Sequence, residues 1–173
     1  MFESVIKLID WIVEKLSNHV FPFVIVRDYE GGVVFRLGKY HKTLDKGINW
    51  KWPLIDEAHT TMTSIDTFHI HEINITTRDQ KTVVIGVAVE YQIQDVRKFL
   101  IDVNDALSNA HDISRGVVSD ILADYTWEEI SGKSKLTDVK SALKRPMEDM
   151  GISVRRVYRS DFTTTRVFTI FKA

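Results

Sequence analysis

The sequence has no cysteine among its 173 residues, which excludes disulfides, thiolate nucleophiles, cysteine-ligated zinc and palmitoyl anchors. It carries no large charge of either sign. Its 23 Lys+Arg stand against 24 Asp+Glu, so no global field calls for nucleic acid. There is no phosphate-cradling glycine loop, internal repeat, low-complexity tract or heptad run. Nor is there an uninterrupted apolar stretch of membrane-spanning length, which takes roughly 20 residues. Met1-Phe2-Glu3 offers no basic n-region, so no cleaved export signal is expected. What remains is an ordinary globular composition, 44% hydrophobic and 27% charged, sufficient for one cored domain with an appendage.

The appendage comes first. Phe2, Val5, Ile6, Leu8, Ile9, Trp11, Ile12, Val13 and Leu16 form a wide apolar helical face, and Glu3, Lys7, Asp10 and Glu14 form one polar stripe. A second apolar run, Val20 to Val26, contains Phe21, Pro22 and Phe23. A charge at the centre of a spanning helix costs about 2.5–3.5 kcal/mol, so this segment is expected to lie in the membrane interface. Over ~18 residues it would measure about 27 Å, and Pro22 would end it before the first strand. The same periodicity also fits a helix packed on its own core. The wide face and the terminal position favour the membrane.

From Val24 the pattern turns to strands. Val24–Arg27 and Gly32–Leu37 flank Asp28-Tyr29-Glu30-Gly31 and read as a hairpin, with a loop from Gly38 to Pro53. Ile65 to Thr77 alternates, placing Thr67, His69, His71 and Ile73 on one face and Phe68, Ile70 and Glu72 on the other. After a turn at 77–81, Thr82 to Ile93 is β-branched almost throughout and reads as a central strand. Asp95 caps a short helix. A longer one follows from Asn104 or Asp105, with Ala106, Ala110, Ile113, Val117, Ile121 and Leu122 inward. Thr126-Trp127-Glu128-Glu129 is a capping box. The last helix, Thr137 to Met150, stops at Gly151 and contains Pro146, which costs about 3 kcal/mol inside a helix unless a new turn begins there. A closing strand, Ile152 to Tyr158, completes an α+β order: strands, helices, then a returning strand.

Several of these segments together resemble a known family. They are Tyr29-Glu30-Gly31-Gly32-Val33-Val34-Phe35-Arg36-Leu37-Gly38-Lys39-Tyr40, Gly47-Ile48-Asn49-Trp50-Lys51-Trp52-Pro53, Ile65-Asp66-Thr67, Thr77-Arg78-Asp79 before Val87–Ile93, and Gly151–Val157. Their order and spacing are similar to the stomatin/prohibitin/flotillin domain, also called SPFH or band 7. The resemblance implies an α+β fold, an N-terminal amphipathic membrane helix followed by a mainly antiparallel twisted sheet packed against helices. The expected divisions are a membrane segment at 1–23, the SPFH domain at 24–165 and an apolar tail at 166–173. It implies no enzyme, catalytic residue or cofactor. It implies instead a membrane-associated scaffold, binding lipids and assembling with itself, as rings in some members. The charge spacing of the first helix makes the expected anchor monotopic, and the lack of an export signal favours the cytoplasmic face. Partner proteins would include a membrane protease or a longer SPFH protein. Family members usually continue into a long coiled coil, and this chain stops at Ala173, so a full-height closed cage is not expected. The alternative function is a truncated regulator that joins or blocks assemblies of a longer relative.

Other residue groups carry less. His69 and His71 share a face without a third ligand in register, so an exposed polar strand face is expected and no metal. Asp28/Glu30 and Glu128/Glu129 are carboxylate pairs of turns and caps. Ser114, Ser119 and His111 share a helix without a nucleophile elbow. Lys144-Arg145 and Arg155-Arg156 with Arg159 form a basic cluster, a solvated face or a contact for acidic lipid. Trp50 and Trp52 flank Lys51 and are expected, with Phe21 and Phe23, to touch the membrane interface; the alternative is that both indoles cap the core. Phe168, Ile170 and Phe171 are expected at a subunit contact, or docked on their own sheet.

Overall fold

The computed structural model describes residues 21–131 and 136–164, in two compact units divided between Thr63 and Ser64. The expected helix over 2–16 and the tail at 166–173 lie outside these residues. The fold is α+β, and every strand pairing among the described residues is antiparallel. The single expected sheet is in fact three sheets.

The first unit is built from β1 (Phe23–Val26), β2 (Glu30–Arg36), β3 (Lys39–Leu44), β4 (Gly47–Trp50) and β5 (Asp56–Met62). β2 is central in the order β3-β2-β5, while β1 pairs with β4 alone. β1 and β2 therefore do not form the expected hairpin. Residues 27–30 do turn, with the Glu30 N–H donating to the Arg27 carbonyl at 3.0 Å, but the turn redirects the chain between sheets. The tight hairpin lies one strand later, at Leu37-Gly38, where φ is +51° and +78°. A two-residue type I′ turn needs both values positive. The segment read as a loop from Gly38 to Pro53 thus contains β3 and β4. Val26, Val34 and Leu44 form the buried core, with Val24 and Ala58 packed against them.

The second unit has a sheet in the order β6-β7-β8, formed by Asp66–Thr76, Thr82–Ile93 and Ile152–Thr164. β7 is the middle strand, as its β-branched run requires. The alternation of β6 breaks once. Its register with β7 shifts between Ile70 and Ile73, and Glu72 takes φ +47°. This bulge turns Ile73 inward beside Ile70 and Ile75, so Ile73 does not share the face of His69 and His71.

After β7, Asp95 accepts from the Lys98 N–H at 3.1 Å and opens a π-helical turn, Lys98–Asp102. Helices α1 (Ala106–Ala123), α2 (Trp127–Ser131) and α3 (Leu136–Asp149) follow. α1 packs on β6 and α3, and α3 packs on β8. The buried stripe of α1 is Ala106, Ala110, Ser114, Val118 and Leu122, rotated from the expected face, and Ile113 is exposed. Ser114 is tolerated inside because its hydroxyl donates to the Ala110 carbonyl at 2.6 Å. The capping box of α2 closes as expected: Thr126 N–H donates to Glu129 at 2.9 Å, and Glu129 N–H to Thr126 Oγ1 at 3.4 Å. Pro146 sits within α3, where it has no N–H to donate to the Ala142 carbonyl, and Ala142 is on the exposed side. Water can satisfy that oxygen.

Candidate functional site

The β1–β4 ribbon sorts its side chains by register. Phe23 pairs with Trp50 and Ile25 with Ile48, so these four share one face. Val24 and Val26 alternate to the other face, which packs on the first unit's core. A ribbon with only one covered side would ordinarily be polar on the other. Here the outer face is apolar, with Ile48 78%, Ile25 59% and Trp50 58% exposed. Phe21 extends it, its ring centroid 5.9 Å from that of Phe23. The turn after β4 adds Trp52 and Leu54, both exposed, with Leu54 at φ +73°. Neither indole caps the first unit's core. An exposed contiguous apolar patch of this kind marks an interaction surface.

Polar groups lock the loop beneath these aromatics. Lys51 N–H donates to the Pro22 carbonyl at 2.8 Å, and Lys42 Nζ reaches the Trp50 carbonyl at 3.3 Å. Asp56, buried, accepts two hydrogen bonds from Arg36 at 2.7 and 3.0 Å and one from the Trp52 N–H at 2.8 Å. Arg36 foremost, with the Trp52 N–H assisting, holds the Asp56 carboxyl at about 2 against the opposing effect of burial. A carboxyl depressed on folding stabilises the native state fully above its unfolded value. That contribution falls away as pH drops through about 2. Acid titration of the intrinsic tryptophan fluorescence should therefore show loop order lost between about pH 4 and pH 2. Asp56→Asn should remove that transition and lower stability by on the order of 2 kcal/mol. An unchanged acid midpoint in the variant would refute the assignment.

Of the residues expected to touch a membrane, Phe21, Phe23 and Trp50 come together on this ribbon, and Trp52 follows in the adjoining turn. Phe2, Val5, Ile6, Ile9, Trp11, Ile12, Val13 and Leu16 lie outside the described residues, as do Phe168, Ile170 and Phe171. Ile25, Ile48 and Leu54 also belong to the exposed apolar set, although nothing in the sequence marks them out. Ile25 and Ile48 become outward-facing only through the β1–β4 register. Among the described residues no helix is long and apolar enough to cross a membrane, and no group of three or more His, Asp and Glu could hold a metal. His69 and His71 stack on the surface with ring centroids 5.7 Å apart. Lys144 stands 4.0 Å from Glu148 on α3.

The first unit is thus all-β, with one ribbon apolar on its exposed face, and the second is an α+β unit built on a three-stranded antiparallel sheet. The chain belongs to the SPFH domain / Band 7 family, whose model matches residues 24–167. It is 36% identical over 110 residues to Protein HflK of Vibrio cholerae, covering 59% of this chain and 27% of that one. It is 25% identical over 142 residues to Modulator of FtsH protease HflK of Escherichia coli K12, covering 76% and 33%. Stomatin-1 of Caenorhabditis elegans is 29% identical over 140 residues, covering 79% and 42%. The chain spans about a quarter of the length of the Vibrio HflK proteins it matches.

Proposed function

We propose that this chain is a non-enzymatic, membrane-bound scaffold that assembles with itself and organises membrane or partner proteins. The observation that carries the reading is the exposed ribbon face of Phe23, Ile25, Ile48 and Trp50 in a member of the Band 7 family. Tryptophan favours the membrane–water boundary, and Lys51 between Trp50 and Trp52 can reach headgroups while its stem stays among apolar groups. In this reading residues 1–23 form an interfacial anchor and 24–165 the domain. Phe168, Ile170 and Phe171 in the tail at 166–173 meet a second copy. The protein is monotopic on the cytoplasmic face. A protease is the partner class that the name of the Escherichia coli relative supports.

The test is co-sedimentation with liposomes together with the mass of the detergent-extracted complex. Wild-type chain is expected to sediment with vesicles and to form homo-oligomers by itself. Trp50→Ser/Trp52→Ser should weaken sedimentation, and unchanged binding by the folded variant removes this surface from the membrane contact. The second reading is a regulator that joins or blocks assemblies of a longer SPFH protein. Monomers that enter oligomers only when such a relative is added would favour it.

A further inference from the structure

The second unit contains a cavity of about 490 Å³ that the apolar ribbon does not involve. Its inner wall is apolar: Ile85 of β7, Leu122 of α1, Ile130 of α2, Leu136 of α3 and Val157 of β8. Ile85, Leu122 and Ile130 belong to the buried core and are at most 5% exposed, so the hollow is a groove floored by that core, open between β8 and the helices. Its mouth has the opposite character. Lys140 of α3 and Arg155, Arg156 and Arg159 of β8 line it, and among the described residues no Asp or Glu does.

The position of the mouth follows from the strand. All five residues from Arg155 to Arg159 touch the cavity. Arg155 is the extra residue of a β-bulge, and from Arg156 to Arg159 the side chains alternate between faces, so the opening lies along the strand's edge. β8 is an edge strand, bonded among the described residues to β7 alone. The arginines are positioned by neighbours: Arg155 donates to the Gln92 side chain, and Arg159 Nη1 lies 3.4 Å from the Ile130 and Ser131 carbonyls at the end of α2. Arg156 stands in register with Glu90, which accepts from the Tyr158 hydroxyl at 2.9 Å. Glu90 offsets one of the four positive charges, and the mouth stays net positive.

Charges on an edge strand commonly serve to block strand-to-strand association. That role accounts for cations facing solvent. It does not account for an apolar-floored groove of ligand size beside them. We infer that this groove binds a single-chain anionic amphiphile, with its alkyl chain along the apolar floor beside β8 and its anionic head at Lys140 and the β8 arginines. The shared chemistry is one carboxylate or phosphate on one long apolar chain. A free fatty acid and a lysophospholipid both supply it.

The test is fluorescence titration of the full chain with cis-parinarate below its micelle-forming range, followed by displacement with oleate, lysophosphatidate and oleyl alcohol. Saturable binding of one probe per chain is expected, displaced by either anion and roughly tenfold less well by the neutral alcohol. The stronger anion identifies the headgroup. Lys140→Glu/Arg155→Glu, on exposed positions, should weaken binding roughly tenfold while leaving the circular dichroism spectrum unchanged. Leu136→Trp, which fills the hollow and keeps every charge, should abolish it. Phe23→Ser/Trp50→Ser should bind the probe as wild type does, which separates this site from the ribbon. The inference is overturned by absence of saturable binding, by equal displacement with oleyl alcohol, or by full binding in the Leu136→Trp variant. Loss of binding in Phe23→Ser/Trp50→Ser, or capture of an acidic extended peptide where no amphiphile binds, also overturns it.

Discussion

Gly151→Ala should be among the most damaging small substitutions in the second unit, costing on the order of 3–4 kcal/mol. Gly151 ends α3 with φ +78°, a conformation that costs an L-residue about 1–2 kcal/mol. The larger part is steric. A Cβ there would lie 2.3 Å from the Asp95 carbonyl oxygen and 3.1 Å from Lys98 Cβ. Neither neighbour can retreat cheaply, because Gln94 and Asp95 both donate their N–H groups to the Gly151 carbonyl, at 2.9 and 3.1 Å. The end of β7, the start of the π-helical turn and the entry to β8 therefore meet at one glycine. Thermal denaturation should show a drop of at least about 10 °C for a unit of this size. Gly116→Ala supplies the contrast. That glycine lies within α1, an added methyl would have nothing within 4 Å of it among the described residues, and the substitution should stabilise by about 0.5–1 kcal/mol. Equal effects at the two positions would refute the account.

Phe23→Ser/Trp50→Ser should reduce vesicle affinity by roughly 30- to 150-fold while leaving the fold intact. The pair is adjacent across the β1–β4 ribbon, and both rings are exposed. A large apolar side chain moved fully out of water contributes roughly 1.5–3 kcal/mol. Partial insertion of two such rings gives about 2–3 kcal/mol, and each 1.4 kcal/mol is about tenfold in affinity. The inner residues Val24 and Val26, which hold the ribbon to its core, are untouched. Isothermal denaturation should therefore place the variant within about 1 kcal/mol of wild type. Wild-type affinity in the folded variant would sink the membrane reading of this face.

Elements whose determinants are local were legible in the amino-acid sequence. The β-branched run of β7, the Thr126/Glu129 capping box, the Asp95 cap and the Gly151 stop each carry their signal within a few residues. β3 and β4 were not legible. Lys39-Tyr40-His41-Lys42-Thr43-Leu44 has little apolar alternation, because only Leu44 reaches the core. The turn before it uses Leu37 where asparagine or glycine is the usual signal. The bulge in β6 places Ile70 and Ile73 on one face, which strict period-two counting cannot anticipate. The stripe of α1 misled because Ser114 reads as polar and is buried. At the site, aromatic residues near the first strand were visible, but their assembly was not. It depends on Phe23 meeting Trp50 across 27 positions of chain, and pairing at that separation leaves no periodic trace. The cavity in the second unit is hidden for the same reason, since five separate elements contribute to its walls.

The two-sided hydropathy of the β1–β4 ribbon has a thermodynamic consequence. An amphipathic helix that forms only on reaching a bilayer must lose conformational freedom at that moment, and part of its interaction energy goes to ordering. The ribbon loses that freedom earlier, when Val26 enters the core and the four β1–β4 residue pairs close. Its outer rings are presented in a fixed array before any ligand arrives. Contact with a surface then draws on apolar burial with little entropic opposition, and detachment leaves the ribbon as ordered as before.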